Sequence, residues 1–309
     1  SLVYTNLFHN LLIKYQTLIE TFKKSFLIKV MKIEIEHTTN YKYKNPIAGL
    51  IQTTKLYPSS HNGLEILEWE VNRNIGNKSK IYIDAEANHI QNYTNNNKIY
   101  SIKFVVKGIV ETKDTKGVYY NSLDKINPMV YLRNTYLTKS DNLIDELALD
   151  ACKNIKSNDK LSIAHNLLKL VSERVEYKPL TTSQETTAIV AYKQKKGVCQ
   201  DQAHIMISAA RSIGIPARYV NGYMHNNSHS SEYQSTHAWA EFYIDNLGWV
   251  GFDSTNNCSP DERYIRVSCG LDANYAAPIK GVFYDRSSQA GLIENLDIHV
   301  QTLQTDSQQ

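Results

Sequence analysis

Three residues in the C-terminal half of the sequence could together form a thiol-based catalytic site. The first is Cys199, which lies in the run Lys-Lys-Gly-Val-Cys-Gln-Asp at the predicted start of a helix. A helix N-terminus favours a thiolate, because unpaired backbone N–H groups and the helix dipole point at the sulfur. The same N–H groups could hold a developing oxyanion. Cys199 is therefore a candidate nucleophile.

A histidine and an aspartate stand where they could complete this site. His237 opens one predicted strand and Asp253 ends the next, with a short turn at 245–247 between the strands. Neighbouring antiparallel strands joined in this way can bring the two side chains together. The carboxylate would then orient the imidazole and stabilise its protonated form. The order Cys, His, Asp fits a catalytic triad, although spacing alone is a weak signal.

Two hydropathy patterns divide the rest of the chain. In the first, short runs alternate apolar and polar residues, as in Met-Lys-Ile-Glu-Ile-Glu-His at 31–37, and Asn-rich turns such as 93–98 separate them. These runs predict a small antiparallel β-sandwich domain over 31–112. In the second pattern, over 141–309, helical periodicity is followed by alternating strands, which predicts an α+β domain. The segment 113–140 between them is predicted to be an irregular linker.

The helices of the second domain have recognisable ends. Asp141 is a predicted N-cap for the first helix, and a second helix is expected at about 161–175. The third begins at or just after Cys199 and ends near Ile213, since Gly214 and Pro216 stop it. Strands are predicted at 217–224, 239–244, 249–253 and 296–303.

Four ordered blocks around the candidate residues resemble the bacterial transglutaminase-like superfamily, whose members are often described as candidate cysteine proteases. The blocks are Gly-Val-Cys-Gln-Asp-Gln-Ala-His at 197–204, Arg-Ser-Ile-Gly-Ile-Pro-Ala-Arg-Tyr-Val-Asn-Gly-Tyr at 211–223, Thr-His-Ala-Trp-Ala-Glu at 236–241 and Gly-Trp-Val-Gly-Phe-Asp-Ser-Thr-Asn at 248–256. Residues 32–57 resemble the N-terminal β domain of that family, and residues 265–281 resemble its C-terminal segment.

The resemblance implies a papain-like, transglutaminase-like core in which Cys199 is the nucleophile, His237 the general base and acid, and Asp253 the orienting carboxylate. The sequence departs from the family pattern in a few places. Ser254 stands where the family usually has Pro, and Tyr264 where it commonly has His. The segment 270–272 also lacks the usual Arg. These changes leave the triad intact and affect the expected substrate pocket.

Further residues are candidates for the oxyanion site or the site wall. They are Gln200 in the first turn of the third helix, Tyr177, which could donate to an oxyanion, and Trp239, for which core packing is an equal alternative. His204 is interpreted as a packing histidine. Of the four cysteines, Cys152 lies at an apolar helical position and is expected to be buried; Cys258 and Cys269 have no assigned role.

Composition narrows the function classes. The chain has 309 residues, with 34 basic and 31 acidic side chains, and a net charge of +3 is too small to indicate a nucleic-acid partner. No cofactor or metal site is expected. The sequence therefore predicts a peptidase-type or amidase-type hydrolase acting on a peptide, protein, or small amide or ester. The alternatives are a protein-glutamine transglutaminase and a non-catalytic interaction module; the oligomeric state stays open.

The N-terminal segment is ambiguous. The chain begins with Ser1, and residues 2–28 show the spacing of an amphipathic helix. Packing on the body of the protein is the favoured interpretation, and membrane-surface contact through residues 1–30 is the alternative. Met31 could be the native start, in which case residues 1–30 are a leader. A signal peptide fits poorly, because no basic segment precedes the apolar stretch, so a cytoplasmic location with reduced cysteines is expected.

Overall fold

The computed structural model describes residues 30–121, 123–156, 158–225, 236–284 and 292–302. The amphipathic segment expected at 2–28 lies outside these ranges. Among the helices within them, none has the length and apolar content needed to cross a lipid bilayer.

The secondary structure is strand-rich. The strands are β1 (Val30–Tyr57), β2 (Leu64–Arg73), β3 (Asn77–Lys78), β4 (Tyr82–Ile83), β5 (His89–Asn95), β6 (Ile99–Lys113), β7 (Val118–Tyr119), β8 (Glu176–Tyr177), β9 (Lys196–Gly197), β10 (Ala217–Met224), β11 (Thr236–Ile244), β12 (Gly248–Phe252), β13 (Tyr264–Gly270), β14 (Ile279–Tyr284) and β15 (Leu292–Thr302). The α-helices are α1 (Asn142–Cys152), α2 (Lys160–Arg174), α3 (Ala188–Gln194), α4 (Cys199–Ser212) and α5 (Ala273–Ala276), and a short 3-10 helix covers Pro128–Leu132.

The N-terminal sheet is organised around the long strand β1. Its first half pairs with β6 on one side and β15 on the other, and its second half pairs with β5 and β14. A register shift between Lys42 and Ile47 separates the two halves. Alternate residues such as Ile33 and Ile35 are buried, as the period of two requires. The antiparallel N-terminal β domain expected from the sequence is confirmed.

Two details of that domain differ from expectation. The turn predicted at 93–98 is wrong at its start, because residues 93–95 end strand β5 and pair with β1. In addition, β14 and β15 belong to this sheet although they come from the far end of the chain. The sequence predicts separate domains at 31–112 and 141–309. The strand pairing differs from this division at the C-terminal end, where β14 and β15 join the N-terminal sheet.

The second sheet has the order β13-β10-β11-β12-β7, and its pairs are antiparallel. Helix α4 packs on this sheet, and α1, α2 and α3 surround the helix. Residues 201–211 of α4 are buried, and small residues such as Ala209 and Ala210 let the backbone approach its neighbours closely. The predicted α+β architecture with helices covering an antiparallel sheet is confirmed.

The ends of the helices agree closely with the sequence signals. The Asp141 side chain accepts hydrogen bonds from the backbone N–H groups of Leu143 and Ile144, as a predicted N-cap should. Helix α4 begins at Cys199 and stops before Gly214, whose φ of +80° suits glycine. Helix α3 was not expected, because its seven residues give too short a periodic signal.

The segment 113–140 is not an irregular linker throughout. Val118 and Tyr119 form β7, which extends the second sheet by pairing with Val250 and Trp249. The prediction is wrong at these positions because the Tyr119 ring is buried beside Trp249 and Tyr131, a tertiary contact that local sequence does not encode.

The two sheets are joined by buried polar contacts. His37 Nδ1 lies 2.7 Å from Tyr223 Oη, and the Ser59 backbone N–H donates to the Arg266 carbonyl oxygen at 2.9 Å. Ile33 of β1 and Ile265 of β13 share an apolar cluster between the sheets. The N-terminal domain is therefore packed directly against the sheet that carries the candidate site.

Candidate active site

Cys199 is the first residue of α4 and is half-buried. The start of the helix is fixed by Asp201, whose Oδ2 accepts from the Val198 backbone N–H at 2.8 Å and from the Thr182 hydroxyl at 2.6 Å. A Cβ atom on Gly197 would lie 2.7 Å from Oδ2 of Asp201, so only glycine leaves room for this capping carboxylate. The first turn of a helix has N–H groups without intrahelical partners, and Cys199 stands among them.

His237 and Asp253 meet at the end of two paired strands. His237 is the second residue of β11, Asp253 directly follows β12, and His237 Nε2 lies 2.7 Å from Asp253 Oδ2. Cys199 lines the same cavity as His237 and helps to raise the pKa of its imidazole. The structure thus brings the three sequence-predicted residues together in the order Cys199, His237, Asp253.

The charge state of this group follows from its surroundings. Burial disfavours the imidazolium, but the Asp253 carboxylate and Cys199 outweigh it and raise the pKa of His237 to about 10. Burial likewise disfavours the Asp253 carboxylate, and the neighbouring His237 more than compensates, so the pKa of Asp253 is lowered. Both shifts favour a protonated His237 beside an ionised Asp253 at neutral pH.

The Asp253 carboxylate is held by residues that the sequence did not identify as site residues. Its Oδ2 accepts from Tyr264 Oη at 2.7 Å and from Asn256 Nδ2 at 2.6 Å, and its Oδ1 accepts from the Thr255 backbone N–H at 3.0 Å. Asn256 lies in the fourth motif block and Tyr264 is a departure from the family pattern, but neither signal specifies this contact. The carboxylate, 1% exposed, is therefore fully hydrogen-bonded.

Gln202 connects the nucleophile helix to the loop after Asp253. Its Oε1 accepts from the Thr255 hydroxyl at 3.1 Å, and its Nε2 donates to the Val175 carbonyl oxygen at 2.8 Å. Gln202 is 2% exposed and lies one helical turn after Cys199. The Gln202 amide thus connects helix α4 to the two segments that contain Val175 and Thr255. Nothing in the sequence pattern distinguished it from a core residue.

The other predicted residues divide into two groups. Gln200 and Tyr177 line the cavity next to Cys199, and Tyr177 is held there because β8 pairs with β9 just before the nucleophile. Trp239 does not line this cavity: it is buried in a cluster with Val220 and Tyr264, so the core-packing alternative describes it. Its ring centroid lies 6.2 Å from that of His237, which makes it support for the histidine rather than a wall of the site.

The structure also shows where His204 and the other three cysteines lie. His204 is buried, its Nε2 accepts from the Ala273 backbone N–H at 3.1 Å, and burial lowers its pKa to about 4, as suits a neutral packing histidine. Cys152 packs against the main apolar cluster but is only half-buried, so the expectation of full burial is wrong. Cys269 is buried, and Cys258 Sγ lies 3.4 Å from Tyr264 Oη. Within the described ranges no group of three or more His, Cys, Asp or Glu side chains could hold a metal ion.

Cys199 and His237 open into a cavity of about 730 Å³ between the two sheets. One side is formed by the first turn of α4, β10 and β11, and the other by β1 and β14 of the N-terminal sheet. A volume of this size lies within the range of ligand-binding pockets, roughly 300–1,000 Å³.

Comparison with known proteins identifies the family and the fold. Residues 150–254 match the family model of the transglutaminase-like superfamily, and residues 33–111 match that of the bacterial transglutaminase-like N-terminal region. The chain belongs to the transglutaminase-like superfamily. A solved structure from Cytophaga hutchinsonii, described as a candidate cysteine protease, superposes with a TM-score of 0.70 and 20% identity, covering 91% of this chain and 93% of that one. This likeness confirms the transglutaminase-like fold.

Two relatives extend the comparison of this superfamily member. An uncharacterised protein of Mycobacterium leprae is 24% identical over 271 residues, which is 83% of this chain and 95% of the relative. A protein-glutamine gamma-glutamyltransferase of Pseudomonas aeruginosa is 25% identical over 162 residues, which is 49% of this chain and 24% of that protein.

Proposed function

We propose that this transglutaminase-like protein is a cysteine-nucleophile hydrolase that cleaves an amide or ester bond. The observation that supports this most is the cavity shared by Cys199, at a helix N-terminus, and His237, whose Nε2 lies 2.7 Å from Asp253 Oδ2. A thiol, a base and an orienting carboxylate in this arrangement are the requirements for nucleophilic acyl transfer.

The first half of the reaction forms an acyl-enzyme. The Cys199 thiolate attacks the substrate carbonyl carbon, and the negative charge moves to the carbonyl oxygen, which backbone N–H groups of the first turn of α4 stabilise. When the tetrahedral intermediate collapses, the bond to the leaving group breaks, and the protonated His237 gives its proton to the departing amine or alcohol. The product of this half is a thioester on Cys199.

The second half releases the acyl group. Neutral His237 takes a proton from water, the resulting hydroxide attacks the thioester carbon, and the sulfur leaves as a thiolate beside the protonated His237. The carboxylic acid departs and the starting state returns. Asp253 keeps the imidazole oriented throughout and stabilises its charged form, without itself taking the proton.

Transfer to an amine is a second candidate function. Its support is the similarity to the Pseudomonas aeruginosa protein-glutamine gamma-glutamyltransferase. Chemically the two reactions differ only in the second half, where a primary amine would replace water as the attacker. We favour hydrolysis, because nothing in the sequence indicates an amine-acceptor site or calcium sites. A non-catalytic module is disfavoured, since a scaffold needs no such triad.

Iodoacetamide labelling tests the proposed nucleophile. We expect Cys199 in the folded protein to alkylate at least tenfold faster near neutral pH than in the urea-unfolded chain, and His237→Ala to remove most of that difference. Mass spectrometry of tryptic peptides separates Cys199 from Cys152, an internal control in a helix outside the site. Equal rates in the folded protein, the unfolded chain and the variant would refute the proposal.

The acyl acceptor can be identified with the same preparation. Peptide and ester libraries are incubated with and without a primary amine, and the products are separated into free acid and amine adduct. Hydrolysis predicts free acid in both cases, whereas adducts that require Cys199 and dominate at low amine concentration would favour transfer.

A cytoplasmic site of action is also part of the proposal. It is supported by the four cysteines, which all lie in described ranges and all carry free thiols. Cell fractionation tests it, and recovery in an extracytoplasmic fraction would contradict it.

A further inference from the structure

One strand of the N-terminal sheet forms a wall of the cavity in front of Cys199. His37, Thr39, Tyr41 and Tyr43 line the cavity and are spaced two apart along β1, so they share one face of the strand. Phe283 of β14 lines it too, with its ring centroid 6.0 Å from that of Tyr43 in an edge-to-face arrangement. A substrate held by Cys199 therefore faces side chains from the other domain.

The cavity lining is uncharged apart from the catalytic pair. Among the described residues that line it, none is Asp, Glu, Lys or Arg. The second histidine of the lining, His37, has both ring nitrogens engaged, Nδ1 with Tyr223 Oη at 2.7 Å and Nε2 with Thr39 Oγ1 at 2.8 Å. Burial lowers the pKa of His37 to about 4, which keeps it neutral. On the β1 side of the cavity, an ionised side chain would lose its hydration without gaining a counter-charge.

The same wall also offers polar and apolar partners suited to a peptide. Leu50, Tyr41 and Tyr43 present apolar surface, and Gln52 and Asn221 place amide groups on the lining. Gln52 is 4% exposed, and its Oε1 has no hydrogen-bond partner among the described residues. An unpaired buried acceptor is costly, and a substrate N–H group could satisfy it. The lining thus combines apolar contact with amide recognition.

We propose that the β1 wall is a specificity subsite for an uncharged peptide segment that carries an aromatic or aliphatic side chain next to the bond cleaved by Cys199. This inference rests on the proposed function and adds a substrate class to it. It also assigns the N-terminal domain a direct part in substrate selection.

Protection against alkylation tests this subsite without requiring turnover. N-acetylated, C-amidated tripeptides with Phe, Leu, Asp or Lys at the centre and Ala on both sides are added before iodoacetamide, and the labelling of Cys199 is followed. We expect the Phe and Leu peptides to protect at concentrations at least tenfold lower than the Asp and Lys peptides. A tenfold difference corresponds to about 1.4 kcal/mol of binding free energy, well below the cost of an unpaired buried charge.

A charge placed on the wall should change this order in a defined way. Tyr41 is only partly buried, so we expect Tyr41→Glu to fold and to improve protection by the Lys peptide at least fivefold relative to the Phe peptide. Tyr100→Glu is the matched control, since Tyr100 is 64% exposed in the same sheet and lies outside the lining. We expect this control to keep the order of the wild-type protein.

Two outcomes would overturn the subsite. One is equal protection by the four peptides in the wild-type protein, a result that depends on no variant. The other is identical behaviour of Tyr41→Glu and Tyr100→Glu. Both are distinguishable from a failure of the proposed function, because iodoacetamide labels even an unactivated thiol at a slower rate that a bound peptide can still reduce.

Discussion

Tyr264 Oη lies 2.7 Å from Oδ2 of Asp253, the same carboxylate oxygen that lies 2.7 Å from His237 Nε2. The phenol is therefore two hydrogen bonds away from the imidazole that faces Cys199. A hydroxyl that donates to a carboxylate stabilises its ionised form. In the proposed reaction Tyr264 is a positioning residue, because it contacts Asp253 and does not line the cavity in front of Cys199.

Removing this hydroxyl should change both the rate and its pH dependence. We expect Tyr264→Phe to lower kcat/KM about tenfold, because Asp253 loses one of its donors. Since that hydrogen bond lowers the pKa of Asp253, its loss raises that pKa, and the acid limb of the pH–rate profile moves to higher pH. The profile of hydrolysis between about pH 3 and 8 measures the shift.

Two variants separate positioning from simple packing at this residue. Tyr264→His retains a donor, and we expect it to recover part of the activity and the wild-type acid limb. Tyr136→Phe removes a phenol hydroxyl from a side chain that is 72% exposed and should change nothing. An unshifted acid limb in Tyr264→Phe would mean that the phenol only fills space.

The raised pKa of His237 has a consequence for stability. The folded protein holds the imidazolium with a pKa of about 10, against a usual value of 6.5 in the unfolded chain. The contribution is therefore complete below about pH 6.5 and is lost as the pH rises through about 10. We expect the stability advantage of the wild-type protein over His237→Gln to fall by a few kcal/mol over that interval, at about 1.4 kcal/mol per unit of pKa shift. Urea unfolding between pH 6 and 10.5 measures it, and a constant difference would contradict the ion pair.

The buried carboxylate of Glu241 should be essential to the fold. It accepts from Arg218 Nε at 2.7 Å and from Arg266 Nε at 2.8 Å, and all three side chains are almost completely buried. Neutralising it with Glu241→Gln leaves the buried Arg266 without its carboxylate partner and Arg218 with Asp124 alone, which we expect to cost about 3–5 kcal/mol in the free energy of unfolding. Glu65→Gln, on the exposed edge strand, is the matched control and should cost less than about 0.5 kcal/mol.

The contribution of Glu241 to folding stability depends on pH in the opposite direction to that of His237. Burial opposes ionisation of Glu241, but the two arginines outweigh it and lower its pKa to about 2. Its contribution is therefore present above about pH 4.5 and is lost as the pH falls toward 2. If wild-type protein and Glu241→Gln lose stability in parallel over that range, the carboxylate does not stabilise the fold in this way.

Gln202 should affect the site without contacting the substrate. Gln202→Ala leaves the Val175 carbonyl oxygen without its amide donor and removes the tie to Thr255, and we expect a loss of about 1–3 kcal/mol of stability. The Thr255 backbone N–H donates to the Asp253 carboxylate, so the loss of the tie between Gln202 and Thr255 should disturb Asp253. We therefore expect kcat to fall about tenfold while KM changes little. Gln194→Ala, at an exposed position in α3, is the control. An unchanged kcat in Gln202→Ala would restrict the amide to a purely structural role.

The local parts of this structure could be predicted because local chemistry determines them. Asp141 caps its helix, Cys199 begins α4, and the turn between β11 and β12 brings His237 to Asp253. Each of these depends on residues within about twenty positions of one another. The motif blocks added the transglutaminase-like fold, which the family and fold comparisons confirm.

What could not be predicted depends on contacts between distant parts of the chain. The hydrogen bonds from Gln202 form only once helix α4 has packed beside the segments that carry Val175 and Thr255. The cavity wall on β1 exists only once the two sheets have packed together. Trp239 is a second example. Alternation along the strand predicts that it shares a face with His237, but the alternation does not show that Tyr264 packs against it and buries it. Periodicity tells which side chains share a face but not what covers that face.

The pairing of β1 with β15 means that one edge of β1 stays unpaired until late in synthesis. Ile33 pairs with Thr302, so the earliest strand of the sheet waits for the last one. At about 5–20 residues per second, the ribosome leaves that edge of β1 open for on the order of 15 to 50 s. An open strand edge can pair with other chains. The cavity wall on β14 is likewise completed late, so Cys199 is made well before the space in front of it is enclosed.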